Sequence, residues 1–447
     1  MRLYTFKGGI YPSEKKELSN SCKMEKAFPS TKTVVIPVTQ GGATNKPLVS
    51  VGDIVSKGQI IADSDAYISA PVHASVPGKV TKIEPRIVTG NTEALCIVIE
   101  DDGSERTTYM EPLDPFKCSK EEAIARVRAA GICGMGGAAF PTHVKLNPPA
   151  DKKIDFVFAN GAECEPYLTI DERIMQENTE SVVYGLAACM KITNAPEGII
   201  VLEDNKKYLV ETLEKAIAES GFSGIRVCIV KTKYPQGGEK MLVKAVVKRE
   251  IPAGKLPADA GCIIQNVGTL AAIADAFRLG KPLIERGLTI SGEQCEQPKN
   301  LLVPVGTLVG DLIPEVIQLK PGVCKIISGG PMMGDSMMTA NFPVQKNTSG
   351  VLFLGKAELN LQQEDVCISC GRCIKACPCR LAPVMMIRSL NAGNLDEAVK
   401  YGLSDCIECG SCAYVCPGQI KLVQRIRIGK QQLKARAAAQ KAQGGNN

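Results

Sequence analysis

One cysteine spacing occurs twice in the last quarter of this 447-residue chain, and it limits what that quarter can fold into. Cys367, Cys370, Cys373 and Cys377 precede Pro378; Cys406, Cys409, Cys412 and Cys416 precede Pro417, so both copies read C-x2-C-x2-C-x3-C-P. Three thiolates two residues apart wrap one face of an Fe4S4 cube, and in this pattern the fourth comes from the other copy. The expected ligand sets are therefore Cys367, Cys370, Cys373, Cys416 and Cys406, Cys409, Cys412, Cys377, for two [4Fe-4S] clusters. Gly371 and Gly410 let backbone N–H groups approach the sulfides. Zinc sites use pairs of C-x2-C rather than triplets ending in Cys-Pro, so the chemistry expected is electron transfer. Cys379, beside Cys377, could stand in as a ligand; the preferred reading is a packed thiol.

Between the copies, apolar residues recur at three and four positions: Val384, Met385, Met386, Ile387 and Leu390, then Leu395, Ala398, Val399 and Leu403. That period predicts two short helices, with Asn394 capping the second. The other cysteines of the 19 lie singly, which fits a reducing compartment better than a disulfide scaffold. Residues Met1 to Phe6 contain no apolar core of a signal peptide, so none is expected. No apolar run reaches 18 residues, so no membrane span is expected. The net charge of +6 is concentrated after Pro417, in Lys421, Arg425, Arg427, Lys430, Lys434, Arg436 and Lys441 with no acid among them. This basic tail suits either anionic lipid or an acidic partner, or else a solvated helix that frays. No nucleic-acid partner is expected.

Residues 32–100 read as short strands, beginning Thr33-Val34-Val35-Ile36. Two glycine-punctuated halves, Val51-Gly52-Asp53 to Ile61 and Ala70-Pro71-Val72 to Val80, resemble a lipoyl- or biotinyl-type barrel-sandwich hybrid. Its tip here is Asp63-Ser64-Asp65-Ala66-Tyr67, without the lysine that carriers modify, so a structural or docking role is expected. His73 is read as a turn residue. Ser119 and Glu122 form a capping box ahead of an amphipathic helix over 119–130. A glycine-rich loop follows, Gly131 to Thr142, whose residues 134–139 match G-x-G-x-x-A. A helix precedes that match where a dinucleotide fold needs a strand, so the Rossmann reading fails; bare N–H groups can still cradle a phosphate or flavin. The strand Phe156-Val157-Phe158-Ala159 ends in Asn160-Gly161-Ala162-Glu163-Cys164-Glu165-Pro166, where ligands sit in α/β sheets. Helix over 179–192, strand over 198–202, helix over 206–220 and strand over 225–231 predict a mostly parallel sheet.

The succession G-x-x-G-x-G-G-A-x-F-P-T-x-x-K, N-x-x-E-x-E-P, G-E and N-V-x-T-L resembles the flavin- and NADH-binding subunit of respiratory complex I. With the flanking domains, nearly all of residues 30–420 resemble the RnfC family of the Rnf electron-transport complex. The resemblance implies a multidomain α/β chain: an N-terminal arm (1–31), a lipoyl-like barrel-sandwich domain (32–112), an FMN/NADH-binding α/β domain (113–283), a β-grasp (SLBB) domain (284–356), a helical two-cluster module (360–420) and the basic tail (421–447). It places non-covalent FMN against Gly134, Gly136, Gly137 and Ala138, with Lys145 near the phosphate. Asn160 and Glu163 would hold the isoalloxazine, and Asn266 and Thr269 the phosphate end. Phe140, Glu165, Gly238 and Glu239 match positions that receive NAD(H). Cys133 and Met135 replace arginines of the complex I loop, and Tyr234 lies one residue from an expected nucleotide contact. The implied function is electron transfer in a membrane-bound ferredoxin:NAD+ oxidoreductase that moves Na+ or H+, with this chain peripheral on the cytoplasmic face and meeting ferredoxin through a partner subunit. A diaphorase subunit of a soluble hydrogenase or dehydrogenase, and a flavin-free relay, stay open.

Overall fold

The computed structural model describes residues 3–444; Met1, Arg2, the closing residues 445–447 and the side chains of 441–444, Lys441 among them, lie outside that account. In the first β region, Thr33–Pro37, Ile54–Val55, Gly78–Val88 and Thr92–Asp101 form a four-stranded sheet, faced by Lys46–Pro47, Ile60–Asp63 and Val72–His73. Alternate side chains of the first strand enter different cores. Val34 and Ile36 join Ile61, Val72 and Ile97, while Val35 joins Val88 and Val98. The tip of this domain is docked on its neighbour. Arg128 donates to both Asp63 carboxylate oxygens, at 3.1 and 3.0 Å, and Tyr67 meets His143 edge to face. His73 corrects its expected place in a turn: it lies in the strand Val72–His73, buried, with Nε2 2.9 Å from the Ala129 carbonyl oxygen. Burial first, and then the Lys346 charge, hold its pKa down at about 3, so the ring is neutral.

The second domain is built on four parallel strands in the order Ile225–Val230, Glu197–Glu203, Phe156–Gly161, Cys262–Asn266. Their near-continuous apolar runs suit a sheet covered on both faces, and two separate cores flank it. The capping box forms as expected: the Ser119 hydroxyl accepts from Glu122 N, and Glu122 Oε2 accepts from Ser119 N. Only the short turn Thr142–Lys145 is helical after the glycine loop, in keeping with the failed Rossmann reading.

Residues 284–356 belong to a six-stranded mixed sheet in the order Met24–Lys26, Lys299–Pro304, Glu285–Ser291, Gly350–Leu354, Lys325–Ser328, Asp335–Met337. Its first edge strand comes from the N-terminal arm. Nearer its start the same arm pairs Tyr4 with Val230 and Ile10 with Tyr234, so it ties the second domain to the third.

The cysteine region folds as helices Pro383–Asn391 and Leu395–Lys400 between the two copies, with the Asn394 side chain accepting from Glu397 N. The helix Leu422–Gly444 is no separate tail over its first turns. Leu422 and Ile426 are buried in the module's core with Met386 and Leu403. Arg425 pairs with Glu364, Arg427 and Lys430 with Glu408, and Arg436 with Asp396. The cations expected to face lipid or a partner are therefore partly engaged within the chain. Among the described residues no helix is long and apolar enough to cross a membrane.

Candidate functional site

The expected nucleotide residues converge at the C-terminal edge of the parallel sheet, where strand ends leave loops free to hold a ligand. Phe156–Gly161 delivers Asn160, whose Nδ2 donates to the Gly237 carbonyl at 2.8 Å. This bond draws the second glycine turn, with Gly238 and Glu239, against the first strand end. Cys262–Asn266 delivers Asn266, which caps the helix Val267–Arg278 by accepting from Gly268 N at 2.8 Å. Thr269 Oγ1 accepts from Met135 N at 3.0 Å and so pins the glycine loop onto that helix. Gly134 N donates to the Phe140 carbonyl and closes the loop. Gly136, Gly137 and Ala138 are left exposed, and Gly137 has φ +141° with nothing near where a Cβ would stand. Lys145 donates to Glu239 at 2.9 Å and to the Ile264 carbonyl at 3.0 Å, so its charge is paired within the cleft wall.

Several polar atoms at this edge lack partners. Glu163 is buried; one oxygen accepts from Asp171 N, and the other, 3.8 Å from Lys16 Nζ, has no hydrogen bond. Glu165 accepts from Met332 N at 3.0 Å through Oε2, while its Oε1 is unpartnered. Burial raises the Glu165 pKa to about 7. Both polar atoms of the buried Gln236 side chain, and Gln265 Nε2, are also unpartnered. Buried donors and acceptors without partners are costly, and a flavin, rich in both, suits this set. Asp171, Lys16 and Gln236 were missed in the sequence. Asp171 accepts from Asn266 Nδ2 at 2.8 Å and links the two strand ends; burial, and next the Glu163 carboxylate, raise its pKa. Burial lowers that of Lys16. Tyr234 lies beside Glu165. Its ring is buried and its hydroxyl donates to the Cys409 carbonyl at 2.7 Å.

The eight expected cluster ligands gather in two places. Cys367, Cys370, Cys373 and Cys416 line a mostly apolar cavity of about 230 Å3 at the surface. Cys377, Cys406, Cys409 and Cys412 lie close enough that Cys412 feels the charge of the other three. Cys379, its thiol pushed up to about 12 by burial, lies near Cys377 and Lys240. Among the described residues no group of three or more His, Cys, Asp or Glu side chains fits a single metal ion. Thiols ringing a cavity are what a cube-sized cluster needs instead. The second gathering abuts the nucleotide domain: Tyr234, Ile10, Ala376 and Cys409 share one apolar cluster with Cys164 and Met332.

A polar edge on a parallel sheet, with the inner of two cysteine cages packed against its domain, defines an iron-sulfur flavoprotein. Residues 127–275 match the Nuo51 FMN-binding domain, residues 4–104 the RnfC barrel sandwich hybrid domain and residues 359–417 a 4Fe-4S dicluster domain. The chain is 46% identical to the C subunit of the proton-translocating ferredoxin:NAD(+) oxidoreductase complex of Clostridium ljungdahlii, covering 98% of this chain and 96% of the other. It is 41% identical to the C subunit of the Na(+)-translocating ferredoxin:NAD(+) oxidoreductase complex of Acetobacterium woodii, covering 96% and 97%. With the C subunit of the ion-translocating oxidoreductase complex of Rhodobacter capsulatus it shares 36% identity over 90% and 78%. The chain belongs to this RnfC family, and it is an electron-transfer protein of FMN and two [4Fe-4S] clusters. The match to an FMN-binding domain sets aside the flavin-free relay. Chains of an NAD+-reducing [NiFe]-hydrogenase overlap at TM-scores of 0.47 and 0.49, with 19% and 18% identity over 62% and 74% of this chain and 53% and 68% of theirs; at that level the likeness carries no assignment.

Proposed function

We propose that the chain is the peripheral, cytoplasmic-face subunit of a membrane-bound ion-translocating ferredoxin:NAD+ oxidoreductase, and that its two cysteine cages act in a fixed order. In this reading Gly134, Gly136, Gly137, Ala138, Lys145, Asn160, Glu163, Asn266 and Thr269 hold FMN. Phe140, Glu165, Gly238 and Glu239 receive NAD(H). The eight cysteines hold the clusters in the two sets named above, and residues 284–356 form a β-grasp domain of SLBB type. Bound FMN supplies the conversion between two-electron hydride chemistry and the one-electron chemistry of Fe4S4 centres.

The chain's own residues bind, orient and exclude water. Glu163 and Glu165 each keep a buried oxygen unpartnered, which a ligand N–H would satisfy, and the exposed loop at Gly136 and Gly137 offers bare backbone. The main support for the order is the bridge from cleft to inner cage. Tyr234 leaves the second glycine turn to bond Cys409, and Met332 joins Glu165 to the same apolar cluster. The inner cage thus stands between the cleft and the outer one, where Cys367 and Cys370 are exposed. A partner subunit exchanges electrons at the outer cage. Freeze-quench spectra of the full-length protein mixed with NADH test this: the inner-cage signal is expected first. An outer-cage signal that develops first would reverse the order.

A further inference from the structure

Arg286 belongs to the third domain, yet its guanidinium lies against the glycine loop of the second. The side chain is 1% exposed. Nε donates to the Thr348 carbonyl at 2.6 Å, Nη2 to the Met135 carbonyl at 3.2 Å, and Nη1 to the Met135 thioether at 2.8 Å. A guanidinium has five N–H donors and a thioether is a weak acceptor, so this buried cation is under-satisfied. No carboxylate among the described residues forms an ion pair with it, and the strongest acid influence on it is Asp171. Asp171 is itself tied to Asn266 and pushed toward its neutral form by burial.

The surroundings are those of an anion site. Met135 stands between Gly134 and Gly136, and its amide is pinned to Thr269 in the first turn of Val267–Arg278. A Cβ placed on Gly268, in the same turn, would come within 3.3 Å of Arg286 Nη1. Gln265, buried, keeps its Nε2 donor unpartnered. An exposed glycine loop, a helix N-terminus and a buried cation that feels Asp171 and Glu163 but pairs with no carboxylate among the described residues meet here. A buried charge is tolerated when a partner of opposite sign completes it, and helix N-termini favour phosphate.

We propose that Arg286 is the specificity-determining cation for the flavin's phosphate, making this chain select FMN over riboflavin through a residue lent by the third domain. The proposal rests on the cleft being the flavin site. It also accounts for a loop whose Cys133 and Met135 carry no charge: the cation arrives from another domain. Lys346 is the natural control. It is equally buried, but its Nζ donates to the Gly131 and Pro71 carbonyls at 2.7 and 2.9 Å. Gly131 follows the helix Lys120–Ala129, so this charge completes a helix C-terminus.

The test titrates FMN and riboflavin, by flavin fluorescence, into full-length protein that keeps its clusters and has been freed of flavin. The wild type should prefer FMN, and the preference should shrink with salt. Arg286→Met should lower FMN affinity about ten- to hundredfold and leave riboflavin affinity unchanged; Arg286→Lys should restore most of the preference. Lys346→Met should lower thermal stability but keep the ratio. Equal loss of both flavins in Arg286→Met would reduce Arg286 to a structural role. If that variant loses its clusters, the wild-type ratio and the Arg286→Lys titration decide. A wild type that binds both flavins equally sinks the proposal and spares the flavin-site reading, whereas one that binds neither sinks both.

Discussion

The two cysteine copies share a backbone and differ in everything around it. Ser369 and Glu408 both adopt left-handed φ (56° and 57°), as do Gly371 and Gly410 (70° and 80°) and Arg380 and Gln419 (58° and 50°). The turn that wraps three thiols round a cube is thus built twice from the same conformations, with glycine where the angle favours it. Beside the outer copy, Val366 and Ile368 are 77% and 69% exposed. Over the inner cage lie Ile10 of the N-terminal arm, Tyr234 and Met332, and Gly9 N donates at 2.8 Å to the carbonyl of Ala376, next to the inner-cage ligand Cys377. Lys430 adds a cation, bonded to the Cys406 carbonyl and to Glu408. The ligand pattern sets the local turn; what packs over it sets the role.

The largest test breaks one copy at a time. Cys409→Ser should cut iron from about eight atoms to about four per chain and abolish NADH-driven reduction of the outer set, which dithionite should still reduce. Cys370→Ser should lose the same iron yet keep NADH-driven reduction of the inner set. Similar NADH responses in the two variants, read by visible bleaching and spin resonance, would remove the distinction between inner and outer. Cys377→Ser should resemble Cys409→Ser, whereas Cys379→Ser should keep both clusters. Next in size is Gly136→Val. A Cβ on Gly136 meets Asn266 at 3.4 Å, and the added branches intrude where a ligand would lie. FMN and all NADH-driven reduction should be lost, with iron unchanged; full flavin in that variant would move the cleft elsewhere.

What the sequence discloses about this comparison stops at domain edges. The cysteine turns, the Ser119 capping box, the Asn394 cap and the parallel strands are local patterns, and each forms where its spacing says. Tyr234 reaches Cys409 across 175 residues and Arg286 reaches Met135 across 151, distances over which periodicity is silent. Lys16 sits beneath Glu163 because the arm is threaded between domains, and nothing near Lys16 in the chain announces it. The basic tail misleads for another reason. Its charge count hides the helical spacing of Leu422 and Ile426, which pack into the module while the cations find acids beside it.

Smaller changes sharpen the comparison. Lys430→Met removes a positive charge beside the inner set alone, so its reduced form loses stabilisation. Its midpoint potential should fall by on the order of tens of millivolts, while that of the outer set stays put; equal shifts in both would mean a general loosening. Tyr234→Phe deletes the hydroxyl on the Cys409 carbonyl and leaves a buried acceptor unpaired, at a cost of about 1–3 kcal/mol. Unfolding in urea should report that loss, with NADH reduction of the inner set slowed and dithionite reduction unaffected.

The subtlest effect lies at Glu165, where the cleft meets the cover of the inner set. Its Oε2 accepts from Met332 N, and a Cβ on Gly330 would come within 2.3 Å of that oxygen, so the 330–334 turn is seated on this carboxyl. Burial raises its pKa from the ordinary 4.5 to about 7. Between those values the folded protein holds a proton that the unfolded chain has released. Stability must therefore decline as pH rises from about 4.5 to about 7 and level off above, because ionisation in the folded state opposes burial. Glu165→Gln has no proton to lose. Its thermal midpoint should match the wild type near pH 4.5, exceed it by a growing margin toward pH 7, and keep a constant margin beyond. Flavin content should be unchanged while NADH use weakens, since Glu165 faces the nucleotide in this reading. Parallel pH profiles for the two proteins would show that Glu165 does not titrate in that window.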